Sequence, residues 1–474
     1  MIKMIMNGIF MPAPHVEQLP EDQIKRRYTF LRWQVFIAIF VGYAAFYLVR
    51  NNYGLAMPFL VNLGYTKTQL GLIGSAYAVA YGWSKFIMGN VSDRSNPRYF
   101  MAAGLFLSGL VNIFFPVFSG MALMYCIMFL NGWFGGMGYP PSSRTMTHWF
   151  SISERGTKMS VWNCSHNIGG GIIAPIAGWA MTLVVLMGVP ETSKWAAIFY
   201  VPGILVIILS LFVMSTLRDT PQSEGLPPIE EFRNDYPLTT AGINTEKELN
   251  AKEILLKYVL PNKWLWCLAL SNVFVYTVRY GALNWAPLYL TSVKHITFSH
   301  ASWAYFLYEF AGIAGTIGCG WISDKFFHAR RSPAIIIFMA LAFLSVFIYW
   351  KIDGSDLFYT LILALIGLLI YGPVGLIGVN ALDIVPKKAA GSATGFTGLF
   401  GYLFGTTGAT LVMGLIMDIW GWSAGFLFLL ASCILAILFM IPLIKVSVTA
   451  KDYIGVTTKD CKQKTIEEVF EAEI

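Results

Sequence analysis

The chain has 474 residues, of which 56% are hydrophobic and only 12% charged, against roughly 25% charged in a soluble domain. That balance excludes an ordinary soluble protein and defines an integral membrane protein. The net charge of +7 does not make a nucleic-acid surface, because the basic residues are spread over short connections between apolar runs.

In chain order, Met1 to Pro20 carries one early Lys3 and a short apolar stretch broken by Asn7, Gly8 and Pro12, which does not read as a cleaved signal peptide. A basic lead-in, Lys25, Arg26, Arg27 and Arg32, precedes a first apolar span from about Leu31 to Leu60. Further spans fall near 67–90, 99–119, 121–146, 157–187 and 195–216, then near 264–290, 300–322, 333–350, 357–382, 389–416 and 422–446. Each contains or comes close to the twenty or so residues that a helix needs to cross roughly 30 Å of hydrocarbon. The interval from Arg218 to Pro261 is polar and holds Pro221, Pro227, Pro228 and Pro237. The expected organisation is therefore an N-terminal segment (1–30), a first six-helix half (31–217), a linker (218–262), a second six-helix half (263–446) and a polar tail (447–474) with at most a short helix near Ile466. The fold class is an all-α membrane protein of twelve transmembrane helices.

Charge asymmetry sets the expected orientation. Alternate connections carry Arg94 and Arg98, then Arg144, Arg155 and Lys158, then Lys325, Arg330 and Arg331, then Lys387 and Lys388, whereas the others hold Lys67, Lys194, Lys294 and Lys351. By the positive-inside rule the basic connections, the linker and both termini are cytoplasmic. Cys126, Cys164, Cys267, Cys319 and Cys433 lie in apolar segments and Cys461 in the tail, without CxxC spacing. They are expected to be small buried hydrophobes, neither disulfides nor metal ligands.

Two motifs recur. Tyr47, Val49, Arg50 and Pro58 return at one constant offset as Tyr276, Val278, Arg279 and Pro287. Gly89, Ser92, Asp93 and Arg94 return as Gly320, Ser323, Asp324 and Lys325, at an offset that differs by two residues. The chain is thus a duplication, and the pattern G-x-x-S-D-[RK] between helices two and three resembles the major facilitator superfamily. That resemblance implies that Asp93, Arg94, Asp324 and Lys325 latch helix ends in one conformation; the plain alternative is a solvated turn. Two halves related by an axis along the membrane normal enclose a central cavity, with Arg50 and Arg279 on opposite walls.

An arginine deep in a hydrophobic segment costs about 2.5–3.5 kcal/mol on insertion scales and marks function. Snorkelling to the headgroups is disfavoured because apolar sequence continues past each arginine, through Leu55 to Leu60 and Ala282 to Leu290. Two converging guanidinium groups match a phosphate monoester dianion, which their planar forks bind bidentately. Tyr47 and Tyr276 share a helical face with the arginines and either donate to phosphate or pack. His166 sits in a polar cluster before Gly169, Gly170 and Gly171, where it either touches substrate or packs; its ordinary pKa of about 6.5 lies near the second phosphate pKa of about 6. Lys85 either lines the pathway or snorkels, and Glu309 is a candidate partner for a buried cation or a proton carrier.

Over essentially its whole length the chain resembles the organophosphate:phosphate antiporters of the major facilitator superfamily, and among them the carriers of glycerol 3-phosphate. The matching stretches include Phe10 to His15, Tyr81 to Gly89, Asp93 to Arg98, Arg218 to Ser223, Leu226 to Glu230, Trp303 to Glu309, Pro386 to Gly391 and Gly395 to Tyr402. The resemblance implies exchange of external glycerol 3-phosphate for internal inorganic phosphate by alternating access in a bacterial inner membrane, without cofactor or covalent chemistry, with a monomer sufficient. Carried over, Arg50 and Arg279 bind phosphate, His166 contributes to substrate binding and Lys85 lines the pore. Hexose-phosphate carriers have an Asp and a Lys in helix eleven where this chain reads Phe404 to Gly408 without charge. Glycerol-3-phosphate carriers commonly have Lys after the first arginine and Asp five residues after the second; Asn51 and Asn284 stand there, as if a charged pair had been neutralised. A hexose-phosphate or phosphoglycerate antiporter and a transporter-like sugar-phosphate sensor are the competing readings.

Overall fold

The computed structural model describes residues 11–118, 120–235, 255–328, 330–385 and 390–445. The Lys387–Lys388 pair, Pro237, Cys461 and the short helix expected near Ile466 lie outside them. Within hydrocarbon every backbone N–H and C=O must be paired inside the segment, and helices do this alone. The described regular structure is helical throughout.

The first half contains α1 (Glu21–Asn62), α2 (Lys67–Asp93), α3 (Pro97–Phe114), α4 (Met121–Gly135), α5 (Tyr139–Trp149), α6 (Ile152–Asn163), α7 (Ser165–Leu186) and α8 (Ala197–Thr216). A short α9 (Ile229–Arg233) belongs to the linker. The second half contains α10 (Lys263–Ser292), α11 (Phe298–Phe327), α12 (Arg331–Lys351), α13 (Asp356–Asp383), α14 (Ala390–Phe400) and α15 (Met413–Met440), with two π-helical pieces, Gly401–Thr406 and Gly408–Val412, between the last two. Each of the pairs α4/α5 and α6/α7 makes one crossing, while α15 supplies the end of one crossing and all of the next, because Gly421 breaks it at φ 77°. Twelve crossings result.

Eight stretches are long and apolar enough to cross a membrane on composition, the last of them the double crossing. Helices α2, α10 and α11 have the length, 27, 30 and 30 residues, or about 40–45 Å at 1.5 Å per residue, but not the hydropathy. They carry Lys85, Arg279 and Glu309, half-buried or buried inside the protein, and such polar residues lower their hydropathy.

Helix α1 starts ten residues before the apolar span does. Pro20 is its N-cap, and Glu21 and Asp22 occupy the first turn, where negative charge complements the helix dipole. The segment before it and the linker are folded together: Val16 N–H donates to the Gln222 carbonyl (3.1 Å), Leu19 N–H to Gly225 (2.8 Å), and Tyr28 Oη to Pro227 (3.2 Å). The two halves meet along α1 with α10, α2 with α15, and α7 with α11.

The cysteines correct one expectation. Cys319 and Cys433 are buried, but Cys164 and Cys267 are half-buried and Cys126 is exposed. Cys126 sits on α4 in a span whose outer face meets lipid, so a weakly polar thiol is tolerated there without burial in protein.

Candidate functional site

Arg50 and Arg279 lie mid-helix in α1 and α10, each eight residues before the proline inside its helix. Both are buried, at 8% and 3% exposure, and neither has an ion-pair partner among the described residues. Tyrosines surround them instead. Arg50 Nη2 donates to Tyr280 Oη (2.5 Å) and Nη1 to Tyr47 Oη (3.3 Å), and its guanidinium lies 4.9–5.4 Å from the rings of Tyr47, Tyr77, Tyr81, Tyr280 and Tyr402. Arg279 Nη2 donates to Tyr371 Oη (3.0 Å), and its guanidinium stands 4.8 Å from the same Tyr280 ring and 5.7 Å from Tyr276. The two arginines therefore converge on one ring. The buried Arg279 Nε has no hydrogen-bond partner among the described residues.

Such a cage suits an exchangeable anion. Tyrosine faces and hydroxyls offset part of the desolvation of a guanidinium but leave its charge uncompensated. An ionised carboxylate in the same place would compete with a phosphate for both forks.

The buried carboxylate nearby is held one group away. Glu309 on α11, 1% exposed, accepts from Asn51 Nδ2 (3.1 Å), Asn167 Nδ2 (3.2 Å) and the hydroxyl of Tyr371, the same hydroxyl that receives Arg279. Its contact with the cation thus runs through Tyr371. Asn51 and Asn167 belong to the first half, so Glu309 ties the halves together. This contact needs Gly170, where a Cβ would fall 2.7 Å from Asn51 Nδ2 and 2.9 Å from Glu309 Oε1. Asn51 meets Glu309 and not Asn284, whose backbone faces Gly54 instead; the two substituted positions are not partners of one another here.

His166 is 9% exposed, with its ring 5.4 Å from Tyr47 and 5.9 Å from Tyr371. Its Nδ1 faces the Asn163 carbonyl, which fixes the proton on Nδ1 and leaves Nε2 as the acceptor of the neutral ring. Lys85 is half-buried with its ammonium 4.1 Å from the Tyr139 ring. It lines a cavity of about 740 Å³ that runs from Tyr402 to Asp93, Arg144 and His148, on the side of the basic connections.

The duplicated turns have diverged. Asp324 pairs with Arg331, which also reaches Asp383 (3.2 Å), while Lys325 places its ammonium 4.7 Å from the Trp321 ring. Asp93 lines the cavity mouth without an ion pair among the described residues, and Arg94 is exposed. Sequence reasoning missed Tyr280, Tyr371, Tyr402, Asn167 and the role of Asn51. Tyr280 follows Arg279 directly, Tyr402 closes the Gly395 to Tyr402 stretch and Asn167 stands beside His166 in its polar cluster, so all three were within reach; Tyr371 is a single polar residue in an apolar stretch of its helix.

Residues 39–409 match the Major Facilitator Superfamily model. The chain belongs to that superfamily, and is a multi-pass membrane transporter, not an enzyme. It is 55% identical over 440 residues to the glycerol-3-phosphate transporter of Bacillus subtilis (strain 168), covering 92% of this chain and 97% of the relative. It is 41% identical over 451 residues to the probable hexose phosphate transport protein of Chlamydia pneumoniae, covering 91% and 96%. Among solved structures, a bacterial homologue of the human lysosomal transporter Spinster, inward-facing and unoccupied, superposes with a TM-score of 0.70 at 15% identity, over 87% of this chain and 95% of that one, which shows the fold alone.

Proposed function

We propose that this chain exchanges external glycerol 3-phosphate for internal inorganic phosphate across a bacterial inner membrane by alternating access, with residues 31–217 and 263–446 as the two moving bodies. The observation that carries this reading is the pair of buried arginines on facing helices, whose hydrogen-bond and ring partners among the described residues are tyrosines. A phosphate dianion neutralises both, and its oxygens replace the tyrosine hydroxyls as acceptors. The 55% identical relative, a glycerol-3-phosphate transporter, supports the substrate class.

In this reading the basic connections face the cytoplasm, so the cavity beyond Lys85 opens inward. Phosphate enters past Lys85, the arginines close on it, and His166 Nε2 meets the ester or its hydroxyls. An empty carrier keeps two uncompensated charges on opposing walls and resists closure; a loaded one does not. That asymmetry makes the cycle an exchange.

The test is uptake of labelled glycerol 3-phosphate into proteoliposomes loaded with phosphate or left empty. Uptake that requires internal phosphate establishes the exchange, and equal uptake into empty vesicles removes it. The hexose-phosphate relative defines the second arm: glucose 6-phosphate is expected to compete weakly, because residues 404–408 bring no charge to the eleventh crossing, between α14 and α15. Stronger competition by the hexose ester reverses the assignment.

A further inference from the structure

On the face opposite the cavity, one carboxylate has no part in the site described above. Asp418, near the start of α15 in the second half, reaches across to the first turn of α2 in the first half. Its Oδ2 accepts from the Thr68 backbone N–H (2.6 Å) and the Thr68 hydroxyl (2.6 Å), and its Oδ1 from the Lys67 backbone N–H (3.2 Å) and Lys67 Nζ (3.4 Å). The opening N–H groups of a helix have no partner within it. In α2 the local cap, Thr66, accepts from Gln69 N–H alone. Asp418 satisfies the two donors that Thr66 leaves open, and a negative charge there also complements the helix dipole.

Beneath this contact the halves meet backbone to backbone. A Cβ on Gly414 would stand 2.5 Å from the Lys67 carbonyl oxygen, and one on Gly71 would stand 2.3 Å from that of Thr410. Thr410, Gly414 and Asp418 follow at one-turn spacing, as do Lys67 and Gly71 on the facing helix, so the carboxylate ends a seam of close contact. The seam admits no side chain, whereas the side chains of Asp418 and Lys67 remain about a quarter exposed, at 24% and 25%. Water therefore reaches the carboxylate and is ready to take over its bonds once the seam parts.

We propose that Asp418 is the closing residue of the gate on this face. It stabilises the conformation whose cavity opens on the side of the basic connections, and turnover to the opposite conformation requires its release from α2. Asp418 is a positioning residue that touches no substrate. The proposal rests on the alternating-access reading and not on the identity of the transported ester.

Spin labels at the exposed positions Leu63 and Trp420, in a cysteine-free form of the full chain reconstituted without substrate, report the distance across this gate by pulsed electron resonance. Asp418→Asn keeps the shape and removes the charge; Asp418→Ala removes every bond. Both are expected to raise the ratio of long to short distances about tenfold. Thr68→Val, which keeps the charge and loses one hydroxyl, should give a smaller rise in the same direction, and it serves as the readout if the Asp418 variants do not fold. Distance distributions unchanged from the parent in folded protein would overturn the proposal. The readout is conformation and not flux, so it stands even if glycerol 3-phosphate is not the substrate.

Discussion

Arg50→Lys and Arg279→Lys keep one positive charge and remove the planar fork. Each loses charged hydrogen bonds worth about 1.5–3 kcal/mol, so exchange per folded transporter should fall roughly 10- to 150-fold at fixed substrate. Proteoliposome exchange normalised to protein checks this, and a fall of less than about threefold in either variant would remove that arginine from the site. Because arginine stays charged at every accessible pH, a site built for the dianion should show its apparent KM in total substrate falling as pH rises through about 6, where the second phosphate ionisation lies. A KM that is flat across that range would mean that the monoanion binds equally well. Both arginines were legible in the sequence because duplication repeats them and because charge in an apolar run demands an explanation. Tyr371 was not legible, since a tyrosine in an apolar helix reads as packing until its hydroxyl is seen between Arg279 and Glu309.

At the scale of elements, α7 and α11 approach closely enough that Gly170 leaves room for the Glu309 clamp. Gly170→Ala places a methyl group against both Asn51 Nδ2 and Glu309 Oε1, and overpacking of this kind costs typically about 1–3 kcal/mol. The variant should melt several degrees lower in detergent and exchange more slowly. Adding Asn51→Ala, which removes one of the crowded groups, should recover part of the lost stability. A double variant no more stable than Gly170→Ala would show that the strain lies elsewhere. The positions of most helices follow from apolar length, but their interruptions do not. The π segments around Tyr402 have no compositional signature, because a wider turn uses the same residues as an α-helix, and the start of α1 at Glu21 rests on capping chemistry outside the apolar window.

For the molecule as a whole, hydrophobic length and the repeat define two six-helix halves, whereas which face is open depends on how the halves pack and leaves no trace in composition. The structure has its cavity on the side of Thr147 and its close contacts on the side of Leu63. If the basic connections are cytoplasmic, a cysteine introduced at exposed Leu63 reacts with a membrane-impermeant maleimide in intact cells, and one at exposed Thr147 reacts only after the membrane is opened. The reverse pattern would invert the orientation and with it the direction of exchange. In opened membranes, saturating phosphate should slow labelling at Thr147 by a few-fold, because a dianion between Arg50 and Arg279 removes the repulsion that keeps the walls apart and populates closed conformations. Labelling indifferent to phosphate, in a protein that still exchanges it, would mean that charge neutralisation does not drive closure, and coupling would then have to arise from the Glu309 clamp, where Tyr371 relays the loss of Arg279 to the bond between the halves.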